Sequence, residues 1–219
     1  MKAMILAAGR GERLRPLTDR MPKPLVEVGG KPLIEWHIER LKTAGVDDLV
    51  VNVSWLKQQL IEFLGDGSRW GMSITISEEP PGALDTGGGI LNALPLLGDQ
   101  PFWVVNGDIY TDYAYPPLEL ATRDLVHLVL VDGPARNFGL HGDRICNSGE
   151  AGYTFAGIGL YRPALFSDCR AGVFSSVPLL RAAADAGRAS GELYGGVWHD
   201  IGTPERLERL RLSLAVAPE

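Results

Sequence analysis

Apolar positions along this chain fall into short continuous runs that alternate with longer, periodic ones. Residues 2–8 (KAMILAA), 48–53 (DLVVNV) and 102–106 (FWVVN) are apolar almost throughout, and 73–77 (SITIS) alternates apolar with polar. Runs this short, bounded by glycine or polar residues, predict strands buried in a sheet. Between them, 32–45 (PLIEWHIERLKTAG) places Leu33, Trp36, Ile38 and Leu41 near helical spacing. Pro32 suits the first turn of that helix and Gly45 its end. Residues 55–65 (WLKQQLIEFLG) and 88–94 (GGILNAL) predict two further helices.

The resulting order, β-α-β-α-β-α-β, predicts an α/β fold: a mixed, mostly parallel central sheet flanked by helices. Ligands of such sheets bind beyond the carboxyl ends of the strands. The loop after residue 8, Asn52, the segment after Ser77, and Asp108 all follow predicted strand ends, so they should converge on one crevice. Past residue 115 the pattern changes to strands at 124–132 and 153–161, a helix at 177–188 and a strand running through 191–202 into a loop. A closing helix follows at 203–215, capped by Thr203 and begun by Pro204. No repeat, low-complexity stretch or long linker divides the chain, so residues 1–219 are expected to form one domain, with a first part at about 1–115 and a second at about 116–219.

Charge and composition narrow the partners. The formal net charge of −6 argues against nucleic acid and anionic membrane surfaces, though not against a local basic pocket. No stretch approaches the roughly 20 apolar residues of a membrane span. The apolar run after Met1-Lys2 has the length of a strand rather than of a secretory leader. Cys146 and Cys169 are the only cysteines and form no CxxC pair, which suits a reduced, cytoplasmic location.

The chemistry starts at residues 9–24, GRGERLRPLTDRMPKP. Gly9 and Gly11 allow backbone N–H groups to approach an anion closely, and the fork of Arg13 matches phosphate oxygens. Pro22 and Pro24 stiffen the chain around Lys23, making it a positioned cation. The stretch is not a Walker A loop, since no G-K-[ST] follows, and Leu14 stands where the dinucleotide fingerprint needs its third glycine. Asp108, directly after a buried strand and Gly107, is a natural magnesium ligand opposite a phosphate loop. Asp112 is its rival, further from the strand end, and His199 lacks a partner at ligand spacing.

Residues 6–36 carry L-A-A-G-x-G-x-R-L-x-P-L-T, then P-K-P-L, then G-K-P-L-I. This long, ordered pattern resembles the sugar-1-phosphate nucleotidyltransferases and implies their Rossmann-like nucleotidyltransferase fold. The resemblance implies that backbone at Ala7, Ala8, Gly9 and Gly11 holds the nucleotide. It also implies that Arg13 grips the departing pyrophosphate and that Lys23 contacts the α-phosphate or the sugar phosphate. The segment 77–94 would read the base through Glu79, Asp85, Thr86 and Gly87. The W-x-D-I-G-T-P-like stretch at 198–204 would supply Asp200 as the second magnesium ligand beside Asp108. The compact chain, with ALDTGGGI, TFAGIGLYRPALF and WHDIGTP, most resembles uridylyltransferases of the family, implying UTP and a sugar 1-phosphate as substrates and a monomer or homodimer.

The sugar contacts, Asn106, Gly139 and Gly157, are placed by location alone, because NSGEAG at 147–152 stands where relatives carry an E-K-P sugar motif. Three alternatives remain at this level: transfer of another nucleotidyl group, a sugar-nucleotide-binding module without turnover, and a glycosyltransferase. The last usually carries D-x-D, where this chain has Gly107-Asp108.

Overall fold

The computed structural model describes residues 1–147 and 152–216. Its elements run in chain order from β1 (Lys2–Leu6) through a hairpin, β2 (Glu27–Val28) and β3 (Lys31–Pro32), into α1 (Leu33–Thr43). They continue with β4 (Asp48–Val53), α2 (Lys57–Leu64), β5 (Ser73–Glu78), α3 (Asp85–Leu97), β6 (Phe102–Asn106) and β7 (Ile109–Thr111). The second part contributes β8 (Val126–His141), β9 (Arg144–Cys146), β10 (Tyr153–Tyr161), α4 (Val177–Asp185), β11 (Ala189–Tyr194), β12 (Trp198–Asp200) and α5 (Pro204–Val216).

One eight-stranded sheet spans both parts, in the order β11-β9-β8-β10-β6-β1-β4-β5, with β11 also paired to β8. The strands β6, β1, β4 and β5 are parallel, so their carboxyl ends share one edge. The second part joins through antiparallel pairing of β10 with β6 and with β8. Period-two alternation explains the two-sided core. Ala3 and Ile5 of β1 meet Ile34, Ile38 and Leu41 of α1 on one face. Met4 meets Ile90, Ala93 and Leu97 of α3 on the other.

Three elements depart from the sequence-based expectation. α3 begins at Asp85, before the glycines rather than within them. Glycine is a poor helix former, and here packing overrides propensity. β8 runs on to His141 although Gly133-Pro134 breaks its apolar pattern; residues 132–137 are mostly exposed, and the pairing with β10 shifts register there. The expected 191–202 strand is two strands, with Gly195-Gly196 between them, and β12 leaves the main sheet to pair with β7. The expectation drawn from NSGEAG falls largely on 148–151, outside the described residues.

A third apolar cluster lies beside the glycine loop. Leu14, Val26, Val28, Leu33, Tyr110 and Ile201 pack with Leu207 and Leu210 of α5. The closing helix therefore anchors the loop through Leu14, which is 1% exposed.

Candidate active site

A cleft of about 390 Å³ opens at the carboxyl ends of the parallel strands. Its lining includes Ala7, Ala8, Gly9, Gly11, Arg13, Lys23, Glu79, Asp85, Thr86, Asn106 and Asp108, which sequence reasoning had nominated separately.

The first wall is the loop after β1. Gly11 has φ +67, and a Cβ there would lie 3.0 Å from Thr18 Cγ2 and 3.2 Å from Lys23 Cβ. The loop is folded so tightly at this point that only glycine suits it. The Thr18 hydroxyl closes the turn by donating to the Gly11 carbonyl at 2.8 Å. A methyl group on Gly9 would meet no neighbour within 4 Å, so protein packing alone does not require its small size. Arg13 makes no ion pair among the described residues.

Lys23 opens a 3₁₀ turn between Pro22 and Pro24. It is only 7% exposed, and its Nζ donates to Asp108 Oδ2 at 2.7 Å. Asp108 is held in turn by Gly107, whose N–H donates to the Leu6 carbonyl at 2.9 Å. A Cβ on Gly107 would stand 2.7 Å from that same oxygen, which explains the Gly-Asp pair in structural terms.

Asp200 does not itself line the cleft, but the β7–β12 pairing brings it beside the lining: it sits opposite Ile109, and the Ile201 N–H donates to the Asp108 carbonyl at 3.0 Å. Its Oδ2 accepts from Arg206 Nη1 at 2.5 Å. Gly202 lies between Asp200 and Arg13: a Cβ there would be 2.9 Å from Asp200 Oδ1 and 3.1 Å from Arg13 Nη2. Arg206 went unnoticed in the sequence, where its place on the exposed side of an amphipathic helix gives no signal.

Among the described residues no group of three or more His, Cys, Asp or Glu is placed to hold a metal. Asp108, in the turn between β6 and β7, and Asp200, at the end of β12 where it pairs with β7, are the carboxylates a magnesium ion would use. That ion commonly takes one or two carboxylates and completes its shell with substrate phosphates and water.

Several expected contacts take a different form. Gly87 does not line the cleft: its N–H donates to the Phe174 carbonyl at 2.9 Å, and a Cβ would lie 2.4 Å from the Phe174 ring. It serves helix packing, and its N–H is already taken by Phe174. Gly139 is buried in the β8–β9 pairing opposite Cys146 and does not line this cleft. Gly157, at φ +76, stands behind Asn106: a Cβ on it would be 2.7 Å from Asn106 Nδ2, so it supports a cleft residue instead of lining the cleft. Glu79 has both oxygens engaged, by Asn52 Nδ2 at 2.6 Å and the Leu84 N–H at 2.7 Å. Thr86 Oγ1 accepts from the Ser176 N–H at 2.9 Å, and Asp85 Oδ1 accepts from the Thr86 N–H at 2.5 Å. Asp112 accepts from the Tyr194 hydroxyl and the Val197 N–H, which makes it a fastener for the strand bearing Asp200. His199 is outside the lining, and burial lowers its pKa.

A parallel-sheet cleft lined by a glycine loop, a buried lysine and Asp108, with Asp200 close by, is organised for phosphate chemistry. Residues 2–127 match the nucleotidyl transferase family. The chain belongs to that family and is an enzyme, a nucleotidyltransferase. It is 49% identical to N-acetylmuramate alpha-1-phosphate uridylyltransferase of Neisseria meningitidis serogroup B, over 95% of this chain and 96% of that protein. The protein of the same name from Caulobacter vibrioides is 37% identical, over 93% and 92%. Probable mannose-1-phosphate guanylyltransferase 1 of Oryza sativa subsp. japonica is 42% identical, but over only 54% of this chain and 34% of its own length. A Bacillus anthracis crystal structure named as a putative glucose-1-phosphate thymidylyltransferase shares the fold at TM-score 0.86, with 22% identity, covering 100% of this chain and 97% of that one.

Proposed function

We propose that this enzyme transfers a uridylyl group from UTP to N-acetylmuramic acid α-1-phosphate, giving the UDP-sugar and pyrophosphate. The observation that carries the reading is the likeness to uridylyltransferases of that name along nearly the whole chain, sugar-side part included. The likeness to the rice guanylyltransferase is confined to about half the chain.

The cleft supports a mechanism built on positioning and charge neutralisation. Backbone at Ala8, Gly9 and Gly11 seats the nucleotide, and Arg13 offers its fork to the β- and γ-phosphates. Lys23, fixed by two prolines, neutralises the α-phosphate as the sugar phosphate oxygen attacks in line. That oxygen is already anionic at neutral pH, so no general base is assigned. Asp108 and Asp200 would hold magnesium, which offsets charge on the phosphate oxygens when bound. Asn106, backed by Gly157, is the sugar-side candidate at the end of β6. A monomer or homodimer in the cytoplasm, serving cell-wall recycling, completes the proposal; two unpaired cysteines support a reducing compartment.

The test is a matrix of nucleoside triphosphates against sugar 1-phosphates, read as pyrophosphate release. UTP with N-acetylmuramic acid 1-phosphate should give the highest kcat/KM. A different best pair would overturn the substrate assignment, and sugar transfer without pyrophosphate would indicate a glycosyltransferase.

A further inference from the structure

Three hydrogen bonds in series cross the floor of the cleft. The Ala7 N–H donates to Asn52 Oδ1 at 2.6 Å, Asn52 Nδ2 donates to Glu79 Oε1 at 2.6 Å, and the Leu84 N–H donates to Glu79 Oε2 at 2.7 Å. Asn52 is 3% exposed and Glu79 6%. The chain of bonds begins at the glycine loop after β1, passes the ends of β4 and β5, and ends at the loop that enters α3.

That second loop is strained. Ala83 and Asp85, neither of them glycine, adopt φ values of 60° and 59°. Such conformations persist where the surroundings hold them. Leu84, tied to Glu79, lies between the two. Glu79 makes no ion pair among the described residues, so its buried carboxyl oxygens rely on hydrogen bonds such as these two. Gly89 of α3 makes room for the arrangement, since a Cβ there would be 2.5 Å from Glu79 Oε1 and 2.8 Å from Asn52 Nδ2.

We propose that Asn52 and Glu79 are positioning residues: together they fix the separation of the glycine loop from the 79–86 loop, and with it the width of the slot that admits the base. This deepens the uridylyl-transfer reading and rests on it. Glu79 then acts on base selection through Leu84 and Asp85, not by pairing with the base.

The donor and acceptor order makes the idea separable from direct readout. In Glu79→Gln, one of the two donors, Asn52 Nδ2 or the Leu84 N–H, meets an amide NH₂. In Asn52→Asp, a carboxylate oxygen faces Glu79. In the double variant the bonds return with the chemistry exchanged. The introduced aspartate accepts from the Ala7 N–H and from the introduced glutamine, whose carbonyl accepts from the Leu84 N–H. Each single variant should raise KM for UTP about tenfold with kcat changed much less, and should narrow the preference for UTP over the other triphosphates. The double variant should recover both to within about threefold. Loss of preference in Glu79→Gln that the double variant fails to recover would overturn the proposal in favour of direct reading by the carboxylate. Unchanged single variants would overturn it as well.

Amide hydrogen exchange on the wild-type chain keeps the proposal testable if a variant does not fold. The Ala7 and Leu84 N–H groups should exchange slowly despite lying in loops, and fast exchange at both would overturn the clamp. This readout needs no turnover, so failure of UTP as substrate would sink the functional reading without touching it.

Discussion

Lys23 and Asp108 are each other's nearest chemistry at 2.7 Å, and each is proposed to face substrate phosphate. A buried ammonium is tolerated because a carboxylate accompanies it. Both line the cleft, and Asp108 is the more exposed partner, its side chain 38% accessible against 9% for Lys23. Replacing it should therefore cost more in catalysis than in folding. Asp108→Asn and Lys23→Ala are each expected to lower kcat by about two orders of magnitude or more, with a cooperative thermal transition retained. Pyrophosphate release and a melting curve on the same preparation check this; near wild-type turnover in a folded variant would remove that residue's role.

At the scale of elements, α3 shows why a glycine triplet stands at a helix start. The Phe174 carbonyl accepts from both Gly87 and Gly88, at 2.9 and 3.0 Å, and so satisfies N–H groups that the first turn would otherwise leave free. An anion is not needed at that helix end. The 172–174 backbone comes close enough that a Cβ on Gly88 would be 2.2 Å from the Gly172 carbonyl oxygen. Helix propensity alone says that Gly→Ala stabilises by about 1 kcal/mol. The contact with rigid backbone predicts the opposite sign, a loss of about 1–3 kcal/mol for Gly88→Ala. Urea denaturation decides between them, and a higher midpoint in the variant would refute the packing account.

At the scale of the whole molecule, α1 is joined to the site through His37. Its Nε2–H donates to the Ile109 carbonyl at 2.8 Å, next to Asp108, while Nδ1 is buried with no partner among the described residues. Burial lowers the imidazole pKa from 6.5 to about 4; Arg40 adds to the effect, and the Ile109 bond and Asp108 oppose it. Between these values the unfolded chain binds a proton that the folded chain does not. Stability should therefore be complete above pH 6.5 and fall as pH drops toward 4, by roughly 3 kcal/mol in all. Urea titrations at pH 7 and pH 4.5 should show this loss in the wild type and a smaller one in His37→Gln. Equal losses would show that other groups govern acid sensitivity.

The sequence by itself determined the parallel half of the sheet, the helices that cover it and the phosphate loop. Those features are written in local periodicity and in residue types a few positions apart, as in 2–8, 48–53 and the Gly-x-Gly-x-Arg run. Tertiary structure decided what each site residue does. Lys23 meets Asp108 across 85 positions, and Asn52 meets Glu79 across 27. Asp200 arrives only because β12 deserts the main sheet for β7. Gly87 and Gly139 have the types expected at a ligand, yet serve neighbours that no local pattern reveals. Periodicity reports which face of an element is buried; it carries no information about which distant segment will supply the hydrogen-bond partner, and in this cleft those partners set the geometry.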